Sequence, residues 1–507
     1  MLFRVVFCLF LALAAAPLFS AGYLPLVDLP QHAAQLSISE RFASGSQLPI
    51  DEAFVENHIV NHRLAHGLAR LFMAVTDVET ALWLVLLLAV LGFPLACAWL
   101  IHRLRGDKWW SLGAIPLAYN FSFAWGFLNF VVALPLGILL LAECVAYARW
   151  PTRKRLLVLI GLCYGLFFSH VLVLVFVGLV GAVYLLFSCK QPRDLVYGLL
   201  ALLSVLPAIA LWWWLVQVVA PPQSVALATK LAYGWYRVPA YFAYPIGGPR
   251  PRQELVWLGL LVFLSPLLLG ARPKRLMRAY LPLLVGFAVY LVMPSTFLGV
   301  AFLFGRYAVF ALPLFWFALR PGNRAGAALR ARAFGRSLVC VLVCWLALQK
   351  TGQYWQFARE AASFDTALFT IPKNERIMYL PFSSASRISR SPAYLHFGQW
   401  IAAKRDGIAD FSFAEFFPNR YRYAEAGRSH LPARIEWKPG LYDPACFANR
   451  YRFVVVRGRF PRPWLTHDLV RLVASRPPWT VLESSPSAFA RCRKTTASRT
   501  IPSALRD

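Results

Sequence analysis

Along the first 350 residues the apolar positions neither alternate nor recur at helical spacing; they run together. Predominantly apolar stretches fall at about 3–20, 80–101, 109–125, 127–148, 156–169, 171–188, 197–217, 255–271, 279–293, 305–319 and 337–350. Most approach the ~20 residues that an α-helix needs to cross a bilayer. Two interruptions frame them. Residues 21–79 are polar and hold seven acidic residues. Residues 351–507 return to an ordinary soluble pattern, with strands expected at 376–382, 451–458 and 479–485 and helical patches between them. The pattern predicts a polytopic α-helical membrane protein of about 11 transmembrane helices with a small C-terminal α/β domain. Its parts are a first transmembrane anchor (1–20), a loop (21–79), a transmembrane domain (80–350) and a terminal domain (351–507).

Composition agrees: 59% of the residues are hydrophobic and only 15% are charged, with a mean hydropathy of +0.55. A net charge of +29 would suit a nucleic-acid partner, but the basic residues fall in short clusters between apolar runs, as topology determinants do. The clusters at 102–108, 149–155, 189–195, 272–278 and 320–336 mark the inner face. The N-terminus is then cytoplasmic and the C-terminal domain extracytoplasmic, in a bacterial plasma (inner) membrane. Residues 1–20 also fit a cleaved signal peptide; either way the loop that follows is delivered outside. Of the nine cysteines, none shows metal-ligand spacing. Cys446 and Cys492 share the C-terminal domain, where an oxidising compartment would allow them to pair.

Candidate chemistry concentrates in the loop. Asp28 and His32 lie in PLVDLPQHAAQ, with Pro30 opening a helix expected over Gln31–Phe42. In that arrangement the two face each other across the first turn, and Asp28 is either a helix N-cap or a catalytic carboxylate. His58, His62 and His66 repeat every four residues, so on a helix they form one stripe. With Glu56, a His58–His62 pair is a candidate divalent-metal grip, although three histidines so spaced reach too far for one ion and no HExxH motif is present. Further along, Lys230, Trp235, Tyr236 and Arg237 sit in KLAYGWYRVPAYFAYP, where aromatics suit a headgroup belt or a sugar face. Arg306 ends a span with no acidic sequence neighbour and so wants an anion. Asn120, Asn129 and His170 lie at tight turns between spans, where polar groups serve either function or interhelical bonding.

The segments PLVDLPQHAAQ, YNFSFAWGFLNFVVALPLGILLLA, FFSHVLVLVF and PSTFLGVAFLFGRYAVFALP resemble poorly characterised bacterial membrane glycosyltransferases of the GT-C fold. The order of parts resembles that family over nearly the whole chain. The resemblance implies transfer of a sugar from a polyprenyl-phosphate carrier to a glycan, lipid or protein acceptor at the outer membrane face, with the first-loop carboxylate, here Asp28, as base. Several branches carry adjacent acidic residues at this place, whereas Asp28 precedes Leu29 and the one adjacent pair is Asp51–Glu52. His32 would assist Asp28, while His170, Arg306, Arg237, Lys230, Trp235, Tyr236, Asn120 and Asn129 would bind substrate. Dependence on a divalent metal varies within that family, and Glu56, His58 and His62 are the candidates for one here. A flippase of lipid-linked glycans would instead place polar residues through the span centres, where Glu143 is the main exception. A non-catalytic envelope assembly protein would use its outer domain to bind partners.

Overall fold

The computed structural model describes residues 1–492, apart from 20, 21, 47, 220–230, 249–251, 298, 299, 323–326, 390, 417, 418, 429, 430, 433, 486 and 489–491. Among these residues, six helical stretches are long and apolar enough to cross a membrane: Leu2–Phe19, Val78–Arg103, Leu128–Arg149, Val171–Ser188, Pro192–Val219 and Leu329–Leu368. Arg153–Ser169 and the shorter apolar stretches Gln253–Leu268, Met277–Val292 and Leu303–Ala318 complete the set. Each expected run has a helical counterpart; 197–217 is split into Pro192–Leu203 and Leu206–Val219, 305–319 alternates short α and 3-10 pieces, and one run departs furthest.

That one is 109–125. Instead of a continuous α-helix, it forms 3-10 turns over Lys108–Ala114 and Pro116–Tyr119, then a short α-helix over Phe121–Trp125. Pro116 has no N–H to continue an α-helical ladder, and Asn120 caps the last piece by accepting from the Ser122 and Phe123 amides. A 3-10 helix rises about 2.0 Å per residue against 1.5 Å for an α-helix. The mixed segment therefore reaches roughly 30 Å, the thickness of a hydrocarbon core. Its residues are almost wholly buried, Trp110 among the most completely, so neighbouring helices shield the irregular backbone from lipid. Glu143 is handled in the same spirit: it pairs with Arg155 and lies 3.9 Å from Arg103 near the end of its helix.

The helix Ala327–Ala361 is 35 residues long, about 50 Å at 1.5 Å per residue. It outruns any bilayer core, and its end, through Tyr354, Phe357 and Ala361, is buried. The C-terminal domain follows. Its five-stranded sheet runs in the order Val470–Arg476, Trp479–Ser484, Phe453–Arg457, Arg376–Leu380, Ile408–Asp410. The first three strands pair antiparallel, and Arg376–Leu380 lies parallel to both of its neighbours. All three expected strands are present; Val470–Arg476 and Ile408–Asp410 are additional. Cys446 and Cys492 form a disulfide with Cα atoms 4.7 Å apart.

The first loop lies against this domain rather than standing free. Its helix, Leu29–Ala43, buries most of its residues on all sides, the polar Gln31, Gln35, Ser37, Ser39 and Arg41 included. Gln35 explains how this is possible. Its Nε2 donates to the Tyr421 carbonyl and its Oε1 accepts from the Tyr421 amide, satisfying both ends of the side-chain amide. Gln31 likewise donates to the Phe411 carbonyl and accepts from the Phe413 amide. Beyond the helix, Phe54–Glu56 pairs antiparallel with Tyr421–Tyr423.

Candidate active site between the first loop and the C-terminal domain

Asp28 sits at the N-cap position of Leu29–Ala43, yet its side chain makes no capping bond. Its Oδ1 instead meets Nδ1 of His396, from the C-terminal domain, at 3.0 Å. Both residues are buried, at 8% and 7% exposure. The backbone that carries Asp28 is pinned from the membrane domain: the Asp28 amide donates to the Trp125 carbonyl and the Val27 amide to that of Ala124. Gly126 makes this approach possible. Its φ of +76° belongs to glycine, and a Cβ there would stand 3.0 Å from the amide nitrogens of Asp28 and Leu29.

His32 donates its backbone N–H to the Asp28 carbonyl, but its ring turns elsewhere. Its Nδ1 lies 3.0 Å from Nε2 of His66, so one ring donates and the other accepts. Burial pushes His32 down to about 4, although the Asp28 carboxylate pulls the other way. His62 is also pushed down to about 4, by burial and then by His32. Burial lowers His66 well below the usual histidine value, with His32 and Arg420 adding to the effect. These imidazoles are therefore neutral at physiological pH.

His62 stacks on His170 with ring centroids 6.0 Å apart, and His170 meets the edge of Phe130 at 5.1 Å. Phe130 in turn lies 5.9 Å from the Arg306 guanidinium, which sits 3.6 Å over the Phe127 ring. Arg306 donates to the Ala301 carbonyl at 2.8 Å, and the Phe127 beneath it follows Gly126, against which the Asp28 backbone packs. Asp28, His32, His170 and Arg306, distant in sequence, thus occupy one neighbourhood. A cavity opens beside them, lined by His32, Gln35, Val60, His62, Arg63, His66, Asn129, Phe413, Asn419 and Arg420. Asp28 is not among the residues that line it; beside His396 it lies beneath the surface, although its side chain keeps 11% of its accessible area.

Buried polar atoms without a protein hydrogen-bond partner gather here: both side-chain polar atoms of Asn61, His62 Nδ1, Asn129 Oδ1, His170 Nδ1 and Arg306 Nε. An unmet buried polar group costs roughly 1–3 kcal/mol. Such a concentration beside one cavity is what a site for a polar ligand requires.

Other expected contributors lie elsewhere. Asn120 serves as a helix cap and donates to the Leu117 carbonyl. The Arg237 guanidinium is buried, taken up by the carbonyls of Ala232, Leu291 and Met293 and stacked 4.1 Å over Phe304. Trp235 and Tyr236 are exposed, Trp235 at 90%, and Lys230 lies outside the described residues. The histidine stripe does not form, because pairing of Phe54–Glu56 with Tyr421–Tyr423 makes a strand and the helix starts only at Leu64. The candidate grip is dispersed with it. Glu56 pairs with Arg420 at 3.0 Å, His58 is exposed, and His62 is buried against His170. Among the described residues no group of three or more His, Cys, Asp or Glu is arranged to hold a metal ion. Asp51 is engaged by Arg41 at 2.7 Å and by Ser46.

His396 is the residue the sequence left unmarked. It stands alone in AYLHFGQW, and its partner lies 368 positions away. Only the docking of the two parts reveals it.

The apolar helices, the loop helix they hold and the sheet domain docked on it define a multi-pass membrane protein of the GT-C fold. A solved structure it is similar to is ArnT from Cupriavidus metallidurans bound to undecaprenyl phosphate, at a TM-score of 0.55 and 12% identity, covering 96% of this chain and 98% of that one. No protein-family model matches the chain. No curated protein matches it either.

Proposed function

We propose that this protein transfers a sugar from a polyprenyl-phosphate carrier to an acceptor at the outer face of the bacterial plasma membrane. The observation that carries this reading is the fold-wide likeness to a protein bound to undecaprenyl phosphate, joined to a buried carboxylate packed on Gly126 and a buried arginine stacked on the adjacent Phe127 at the loop–membrane junction. The positive-inside pattern supports an outer location for the loop and the C-terminal domain. A disulfide in that domain suits an oxidising compartment.

In the proposed reaction Asp28 takes the proton of the acceptor hydroxyl as its oxygen attacks the anomeric carbon. The bond from that carbon to the carrier phosphate breaks, and the phosphate leaves with the electron pair. Arg306, backed by aromatic rings, offers a planar fork to the departing charge. The neutral histidines and Asn129 supply donors and acceptors for the hydroxyls of sugar or acceptor without adding charge. Arg237, whose donors already meet carbonyls, has no part in the step. A flippase is disfavoured because Glu143 sits near a helix end, compensated by Arg155 and Arg103.

Mass spectrometry of surface glycans and of carrier-linked sugars tests this, comparing cells with and without the gene. Transfer predicts loss of one glycan modification and accumulation of its carrier-linked sugar on the outer side. Unchanged glycans and carrier pools would contradict it.

A further inference from the structure

The Asp28 carboxylate has two oxygens and one protein partner. Its Oδ1 is bonded to His396, and among the described residues no side chain or amide reaches Oδ2. A carboxylate that must take a proton gains from being held by one oxygen while the other is presented, since orientation is part of the barrier. Against a carboxylate oxygen, Nδ1 can only donate, which fixes the tautomer of the His396 ring.

His396 is well built for that task. It starts the turn Phe397–Gln399 that leads into the helix Trp400–Arg405. Gln399 ties this turn to the Ala409 and Phe411 carbonyls. Gly398 lets Tyr379 lie against it, for a Cβ there would come 2.4 Å from that ring. The imidazole itself packs beside Phe411 and Phe413, with ring centroids 5.8 and 5.3 Å away. It also lines a small cavity with Glu436, whose Oε2 is buried without a protein partner and whose carboxyl is raised by burial.

We propose that His396, supplied by the C-terminal domain, is a positioning residue whose Nδ1–H holds Asp28 Oδ1 and thereby aims Oδ2 at the acceptor hydroxyl. This rests on the transferase reading. It makes the C-terminal domain a working part of the active site: the membrane domain and loop carry the base, and the outer domain sets its direction. In this role His396 acts through Asp28, so its loss lowers the rate of transfer and leaves carrier binding in place.

The test uses the full chain in lipid nanodiscs as wild type, His396→Ala, His396→Asn and Asp28→Asn. Binding is measured with undecaprenyl phosphate. Turnover is measured as undecaprenyl phosphate released when undecaprenyl-phosphate sugars extracted from producing cells are supplied together with an envelope extract of cells lacking the gene, which provides the unmodified acceptor. His396→Ala is expected to bind within about twofold of wild type and to lose at least about tenfold in rate, inside the ~10²–10⁴-fold that a general base contributes. His396→Asn places an amide N–H near the Nδ1 position and should recover most of that loss. A folded His396→Ala protein with wild-type turnover overturns the proposal, as does loss of carrier binding in step with rate. So does an Asn variant as slow as the Ala variant; if the Ala variant fails to fold, the Asn variant decides alone, fast supporting and slow refuting. Full turnover in Asp28→Asn removes Asp28 as the base and the proposal with it, whereas no turnover in wild type removes the transferase reading itself.

Discussion

Asp28 and His396 meet at 3.0 Å across 368 positions of chain, and this one contact joins the first loop of the membrane part to the C-terminal domain. Other contacts make the junction firm. Lys404 reaches Glu79 at 2.9 Å and Asp365 at 3.4 Å, and the Tyr23 hydroxyl donates to Asp365. The geometry of the site therefore depends on docking between parts that sequence places far apart.

Gly126 should tolerate no side chain. Its left-handed φ and its 3.0 Å approach to the Asp28 amide mean that Gly126→Ala strains the turn and displaces the carboxylate. A left-handed residue with a Cβ costs about 1–2 kcal/mol. Transfer is expected to fall much further than the melting temperature of the purified protein does.

Arg306→Ala should weaken undecaprenyl phosphate binding by roughly 10- to 100-fold, the range of a hydrogen bond to a charged partner. Arg306→Lys should recover part of it, since an ammonium keeps the charge but lacks the planar fork and its stacking on Phe127. A binding titration on both variants checks this, and equal affinity across all three proteins would remove Arg306 from the phosphate site.

The buried histidines predict acid sensitivity, with a definite sign. His32 and His62 are pushed down to about 4 in the folded protein, against about 6.5 when unfolded. Between those values the unfolded chain binds more protons, so stability is full above about 6.5 and falls as pH drops toward 4. Melting in detergent from pH 7.5 to pH 4.5 should show this decline, and His62→Gln should flatten it. A protein as stable at pH 4.5 as at pH 7.5 would show that these imidazoles are not held neutral.

Replacing Cys446 and Cys492 together by serine opens a link spanning 46 positions, a loop worth about 4 kcal/mol in the chain-entropy model. The C-terminal domain should become protease-sensitive at lower temperature while the membrane helices stay intact. Limited proteolysis across a temperature series reads this directly.

Much of the fold was legible because its signals are local. Apolar runs near bilayer length announce helices wherever they occur, and Phe453–Arg457 and Trp479–Ser484 announce strands by their β-branched and aromatic content. The broken segment at 108–125 was not legible, since its apolar composition is that of a span while Pro116 and tight packing decide its backbone. The histidine stripe failed for a related reason: Phe54–Glu56 pairs with Tyr421–Tyr423, a partner no local window contains. Asp28, His32, His170 and Arg306 could be nominated because polar groups are costly at membrane ends. Arg237 could be nominated on the same ground, yet backbone carbonyls satisfy it. His396 could not be nominated, because an isolated histidine in a soluble domain carries no pattern.

The central claim is that Asp28 takes the acceptor proton, and Asp28→Asn tests it most directly. An amide keeps the size and a contact for His396 but cannot serve as a base at neutral pH. Purified wild type and Asp28→Asn are given the same undecaprenyl-phosphate sugars from producing cells with an envelope extract of cells lacking the gene as acceptor, and released undecaprenyl phosphate is followed by mass spectrometry. The expected result is a fall of about 10²–10⁴-fold in release, with undecaprenyl phosphate binding and melting temperature near those of wild type. Release at the wild-type rate from a folded Asp28→Asn protein would contradict the claim.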